Sequence, residues 1–230
     1  MAEFQALTEQ TTRQDKRGPA PPPAHETIYR KLRATILFGE FAPGQAVTIQ
    51  GLVELLNAGM TPVREAIRRL TAEGALEFQG NRRVGVPLLS ESNLDELVYA
   101  RQAIEPQLAQ RAADRATAND QARLADIDAQ LDTSILRGDV RAYLELNYRF
   151  HSKIYDMADA AILHALADSL WLRFGPSMRV VCGRLGTQNL PDQHKEALKA
   201  MQAGDAKAAA EAMRQDVIQG IEQIRSALFS

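Results

Sequence analysis

From Ser92 to the C-terminus, almost nothing in the chain alternates with the period of two that a half-buried strand requires. Apolar residues recur instead three and four positions apart, and Gly138, Gly183, Gly186 and Gly204 punctuate them. The pattern predicts helices at about 92–116, 119–137, 139–157, 160–181, 188–203 and 205–227, with Ser92 and Asp95 as a capping pair for the first. Helices with one apolar stripe and short connections bury those stripes against each other. Residues 91–230 are therefore expected to form an all-α antiparallel six-helix bundle. No internal repeat is visible.

The N-terminal part reads differently. Residues 1–24 end in "KRGPAPPPA", carry no hydrophobic period and are expected to be a flexible arm. In residues 25–38, Ile28, Leu32, Thr35 and Ile36 share one helical face, and the helix stops at Gly39. Thr48 can cap a short second helix that "NAGM" breaks. "TPVREAIRRLTAEGAL" supplies a third, with Thr61 as expected N-cap, Pro62 as first residue and Gly74 as stop. Two short strands around "GNRR" then make a hairpin. Helix, helix, turn, helix and hairpin over residues 25–90 are a winged helix-turn-helix, so the whole chain is expected to be mostly α.

Composition narrows the function classes. With 45% hydrophobic and 24% charged residues the chain can bury a core, and no apolar run approaches the roughly 18 residues of a membrane span. The first residues lack a secretory signal, and the single Cys182 excludes an internal disulfide framework, so a cytoplasmic protein is expected. The net charge of -2 divides into +2 over residues 1–90 and -4 over the rest. That difference is too small to indicate nucleic acid unaided.

The positions of the arginines say more. A recognition helix presents its N-terminal residues to base edges in the major groove. Here those are Met60, Thr61, Arg64 and, one turn on, Arg68 or Arg69. The guanidinium fork matches guanine O6 and N7. Asn81, Arg82 and Arg83 sit at the wing tip, placed for phosphates or the minor groove. A merely solvated charged face would not put arginines on both elements at once.

In the bundle, "NYRFH" sets Asn147 and His151 one helical turn apart. His194 lies ten residues before Gly204 and Asp216 twelve after it. At ~1.5 Å per residue they stand roughly 15 and 18 Å from that turn, at nearly one level of an antiparallel hairpin. Asn147, His151, His194 and Asp216 can thus converge as four N and O ligands from facing helices, or as a hydrogen-bonded polar network. His164 has no spaced partner and reads as structural. Arg101 and Glu105 are an i,i+4 pair among Leu97, Ile104 and Leu108, which turns Arg101 inward. An inward cation invites an anion, either Glu105 or a ligand carboxylate, and Arg179 is a second candidate for that ligand.

Residues 25–227 resemble GntR-family bacterial transcription regulators, through "PGQ", "TPVREAIRRL" and "EGAL" in register. The helical part looks like the FCD domain of the FadR subfamily, and six helices point to its VanR-like branch. One departure is Gly59-Met60 where the family commonly has Ser-Arg, which implies altered operator choice. The resemblance implies a homodimer on a short palindromic DNA operator and a small organic acid effector at a divalent metal. The ligand set is here Asn-His-His-Asp instead of Asp-His-His-His, and such donors suit zinc, nickel, manganese or iron. Two other readings compete: a metal-free regulator sensing acyl-CoA, and a helical metalloenzyme. Against the enzyme, the chain contains no Glu-x-x-His, P-loop or G-x-S-x-G.

Overall fold

The computed structural model describes residues 23–80, 83–184 and 192–229, with backbone alone for 182–184. The expected arm at 1–24 thus lies almost wholly outside the described residues, as do Asn81 and Arg82. The first unit comprises α1 (Ala24–Leu37), β1 (Ala46–Thr48), α2 (Ile49–Leu56), α3 (Met60–Ala72), β2 (Glu77–Phe78) and β3 (Arg83–Gly85). Ile28, Tyr29, Leu32 and Ile36 of α1 are buried, and α1 packs on α3, whose buried face is Val63, Ala66, Ile67 and Leu70. The wing is an antiparallel sheet in the order β1-β3-β2, with Val47 opposite Val84.

Three local expectations change. β1 joins the predicted hairpin as a third strand, and at three residues it is too short to show alternation. Thr48 does cap α2, accepting from the Gly51 N–H at 3.0 Å. Thr61 does not cap α3. That helix starts at Met60, Gly59 is its N-cap, and no side chain bonds there. Pro62 is therefore the third helical residue, still within the first turn, where a missing N–H leaves no intrahelical bond unmade.

The bundle comprises α4 (Glu91–Arg115), α5 (Ala118–Arg137), α6 (Val140–Met157), α7 (Ala161–Arg184), α8 (Gln193–Gln202) and α9 (Ala206–Phe229). α4 begins under a capping box of Ser90 and Asn93, not Ser92 and Asp95: the Asn93 N–H donates to Ser90 Oγ at 3.2 Å, and the Ser90 N–H to Asn93 Oδ1 at 3.1 Å. α4 packs on α9, α6, α7 and α8, so it is the central strut. Gly204, at φ 69°, takes the left-handed turn that folds α9 back along α8. Among the described residues no helix is long and apolar enough to cross a membrane.

Leu108 of α4 is 0% exposed. Leu108→Ala should remove about 2–5 kcal/mol of stability. Urea denaturation reads this as a lower midpoint, and an unchanged midpoint would contradict the packing described.

Candidate metal and effector site

α6 carries Asn147 and His151 inward, with only 6% and 1% of their surface exposed. The α8–α9 hairpin brings His194 and Asp216 to the same level. Asp216 Oδ2 lies 3.1 Å from His151 Nε2, and its Oδ1 lies 3.7 Å from His194 Nε2. The two Nε2 atoms are 3.4 Å apart. One ligand atom from each of these three side chains fits within 4.8 Å of the others. Asn147 borders the same cavity, its Nδ2 3.8 Å from Met178 Sδ, so the thioether occupies the amide's N–H side.

Each imidazole has a second carboxylate behind it. Glu105 Oε2 is 3.4 Å from His151 Nδ1, and Asp128 Oδ1 is 3.6 Å from His194 Nδ1. His151 faces a carboxylate from each nitrogen, Glu105 at Nδ1 and Asp216 at Nε2, and the Tyr155 hydroxyl also lies 3.4 Å from Nδ1. Two Nε2 atoms and a carboxylate gathered in this way suit a proton or a metal ion between them. Burial pushes the His151 pKa down, but Asp216 and Glu105 outweigh it and the net shift is upward. Burial likewise pushes Asp216 up, while His151, His194 and Arg101 overcome it and hold the carboxyl well below the usual range. The residues present fit a divalent ion, which would displace that proton.

Arg101 is 2% exposed and forks onto Glu105, through Nε to Oε1 and through Nη2 to Oε2 at 3.1 Å. Its guanidinium lies 3.8 Å from the centre of the Phe174 ring and borders the cavity beside Asp216. The cavity is half-open, with a volume of about 120 Å³. Trp171 completes its wall, 5.0 Å from His151 between ring centres, and donates Nε1–H to Tyr155 Oη at 3.0 Å.

Arg179 does not line this cavity. Met178 does, and the next residue is turned about 100° around the helix. Arg179 Nη1 instead donates to the Gly39 carbonyl at 2.9 Å. His164 stands outside the site, 3.6 Å from Asp156. Asp128 was missed from sequence, although Leu124, Asp128 and Leu131 form one buried stripe of α5. A carboxylate on a core stripe was the available signal.

On the winged unit, Thr61, Arg64 and Arg68 are exposed along α3, with Arg68 2.7 Å from Glu65. Arg83 is exposed on β3. Arg69 is committed elsewhere: it pairs with Glu73 and Glu26, each at 3.1 Å, and lies 3.5 Å over the Tyr29 ring. These contacts tie α3 to α1.

Comparison with known proteins bears on these two faces. Residues 24–86 match the bacterial regulatory proteins of the gntR family, and residues 96–218 match the FCD domain. The HTH-type transcriptional regulator McbR of Escherichia coli (strain K12) is 27% identical over 197 residues, 83% of this chain and 89% of its own. The HTH-type transcriptional repressor RspR of the same strain is 27% identical over 207 residues, 88% of this chain and 91% of its own. The solved structure of E. coli McbR/YncC superposes with a TM-score of 0.83 at 24% identity, covering 90% of this chain and 99% of that one, a likeness of fold.

Burial pushes the Glu105 carboxyl up, but Arg101 and His151 overcome it and bring it from 4.5 to about 2. A depressed carboxylate stabilises the fold above its unfolded pKa and loses that contribution as pH falls through the folded one. Glu105 should therefore give up roughly 3 kcal/mol between about pH 4.5 and pH 2. At neutral pH, Glu105→Gln strands a buried Arg101 and should cost about 3–5 kcal/mol. Thermal melts across that window check both: the variant should melt lower at pH 7 and lose less on acidification.

Proposed function

The chain belongs to the gntR family of bacterial regulatory proteins and carries an FCD domain, and on that premise we propose a homodimeric, ligand-responsive repressor that takes its signal at a divalent metal held by Asn147, His151, His194 and Asp216. The family and its relatives are DNA-binding transcription regulators, which displaces the enzyme reading. Residues 25–90 are the DNA-reading unit and 91–230 the sensing and pairing unit. Repression is the action named for the relative RspR.

The convergence of two Nε2 atoms and one carboxylate, each imidazole backed by a second carboxylate, carries the metal reading. Carboxylate–histidine–metal chains use this arrangement to orient their rings. Zinc, nickel or manganese suits the donors. When bound, the ion offers a small organic acid a Lewis-acidic position, and Arg101 beside it supplies positive charge. A cavity of about 120 Å³ has room for the few heavy atoms of a small acid. Arg179 has no part in this reading.

α4 and α7 pack side by side and expose Tyr99 by 79%, Ile162 by 78% and Leu166 by 49%. Apolar surface concentrated on adjacent helices is what a two-fold partner covers. Such pairing would set the spacing of two winged units on a short palindrome. Thr61, Arg64 and Arg68 would then face base edges, with Arg83, Arg82 and Asn81 on the backbone or minor groove.

A duplex selected from a random-sequence library supplies the operator for the test. Arg64→Ala should weaken binding to it by about 1–3 kcal/mol and relax the sequence preference, measured by fluorescence anisotropy. Arg69→Ala should lower the melting temperature and leave the preference intact. Equal behaviour of the two variants would contradict the assignment. In calorimetric titration with zinc, nickel and manganese, His151→Ala and Asp216→Ala should each abolish binding. If the unaltered protein takes up none of the three, the four residues are a polar cluster organised by a protonated His151.

A further inference from the structure

α7 presents two working faces. Trp171, Phe174 and Met178 line the cavity. Asp168, Gly175 and Arg179, turned about 90° around the same helix, meet α1 and the residues that follow it.

The grip on α1 has three parts. Arg33 Nη2 lies 2.6 Å from Asp168 Oδ2, in a pair whose side chains are 16% and 31% exposed. Tyr148 of α6 joins it, donating its hydroxyl to Asp168 Oδ1 at 2.5 Å and accepting from Arg33 Nη1 at 3.4 Å. Next to Phe174 of the cavity wall, Gly175 lets the helices approach closely: a Cβ there would stand 3.0 Å from Leu37 Cδ1 and 3.2 Å from Leu37 O. Beyond the end of α1, Arg179 holds the Gly39 carbonyl at 2.9 Å. The two faces are joined by rings, since Tyr148 meets Trp171 edge-on at 5.5 Å and Trp171 lies 5.0 Å from His151.

We propose that α7 is the lever through which cavity occupancy resets the winged unit, with Asp168 and Arg179 as its grips on α1 and Trp171 as the side chain that registers the state of His151. The proposal rests on the reading of the cavity as the sensing site. A helix packed tightly on both faces cannot adjust to a ligand on one face without moving the other. Because α1 also packs on α3, a shift of Asp168 and Arg179 re-aims the recognition helix. Coupling of this kind is reciprocal: whatever the cavity does to the operator face, the operator must do to the cavity.

Reciprocity gives a test that needs neither metal nor effector. Trp171 is the only tryptophan in the chain, so its emission reports the cavity wall. In chelator-treated protein, saturation with the selected operator duplex should shift Trp171 emission. Asp168→Asn combined with Arg179→Ala should bind the duplex within about threefold of the unaltered protein and show no shift. Arg33→Gln, made from the α1 side, should do the same. An emission unmoved by the operator in unaltered protein, or moved equally in the variants, overturns the proposal. A second arm uses zinc alone: the double variant should keep the zinc affinity of the unaltered protein, while the ratio of operator affinities with and without zinc falls to one. A retained ratio also overturns the lever. Absence of zinc binding in the unaltered protein removes the metal reading and leaves the emission arm to decide the lever.

Discussion

Two imidazole nitrogens, 3.4 Å apart and both facing one carboxylate, need a proton or a metal ion between them and it. That single constraint organises the bundle around it. Glu105 on α4 and Asp128 on α5 stand behind the far nitrogens at 3.4 and 3.6 Å, α6 supplies His151, and the α8–α9 hairpin supplies His194 and Asp216. Five helices thus converge on one polar group. Asp128 shows the tension most clearly: its Oδ1 is buried and makes no hydrogen bond, with His194 Nδ1 3.6 Å away. An acceptor left so costs about 1–3 kcal/mol, and a small turn of the His194 ring toward it would recover that. A metal ion there would be held by His151, His194 and Asp216 and would fix the orientation of the His194 ring.

The same site explains why α4 tolerates a buried arginine. Arg101 would be expensive in the core without an anion, and Glu105 meets it from one turn away. Glu105 then acts twice, on Arg101 and on His151, so the charge state of the site and the packing of the central strut are tied together. α7 extends the connection outward, walled by the cavity on one side and by α1 on the other.

Much of this was legible in the chain. The turn at Gly204 placed His194 and Asp216 at one level by counting alone, because helical rise is nearly constant. "NYRFH" put Asn147 and His151 on one face for the same reason, and both are buried there. What stayed hidden depended on direction or on partners far away in sequence. β1 was too short to show a period and exists through β3. Ser90 displaced Ser92 as the cap because Asn93, three residues on, could answer it. Arg179 shares a helix with the cavity wall but points to Gly39, and Arg69 sits beside Arg68 yet folds over Tyr29. Neither orientation follows from spacing until the neighbouring helix is known.

A metal site and a proton-bridged cluster of His151, His194 and Asp216 differ in what the purified protein carries. Elemental mass spectrometry on untagged protein, purified without chelator, separates the two most directly. Near-stoichiometric zinc, nickel or manganese per chain is the predicted result. Protein that carries no divalent metal, and stays empty after incubation with all three ions, would contradict the metal reading and leave the cluster bridged by a proton.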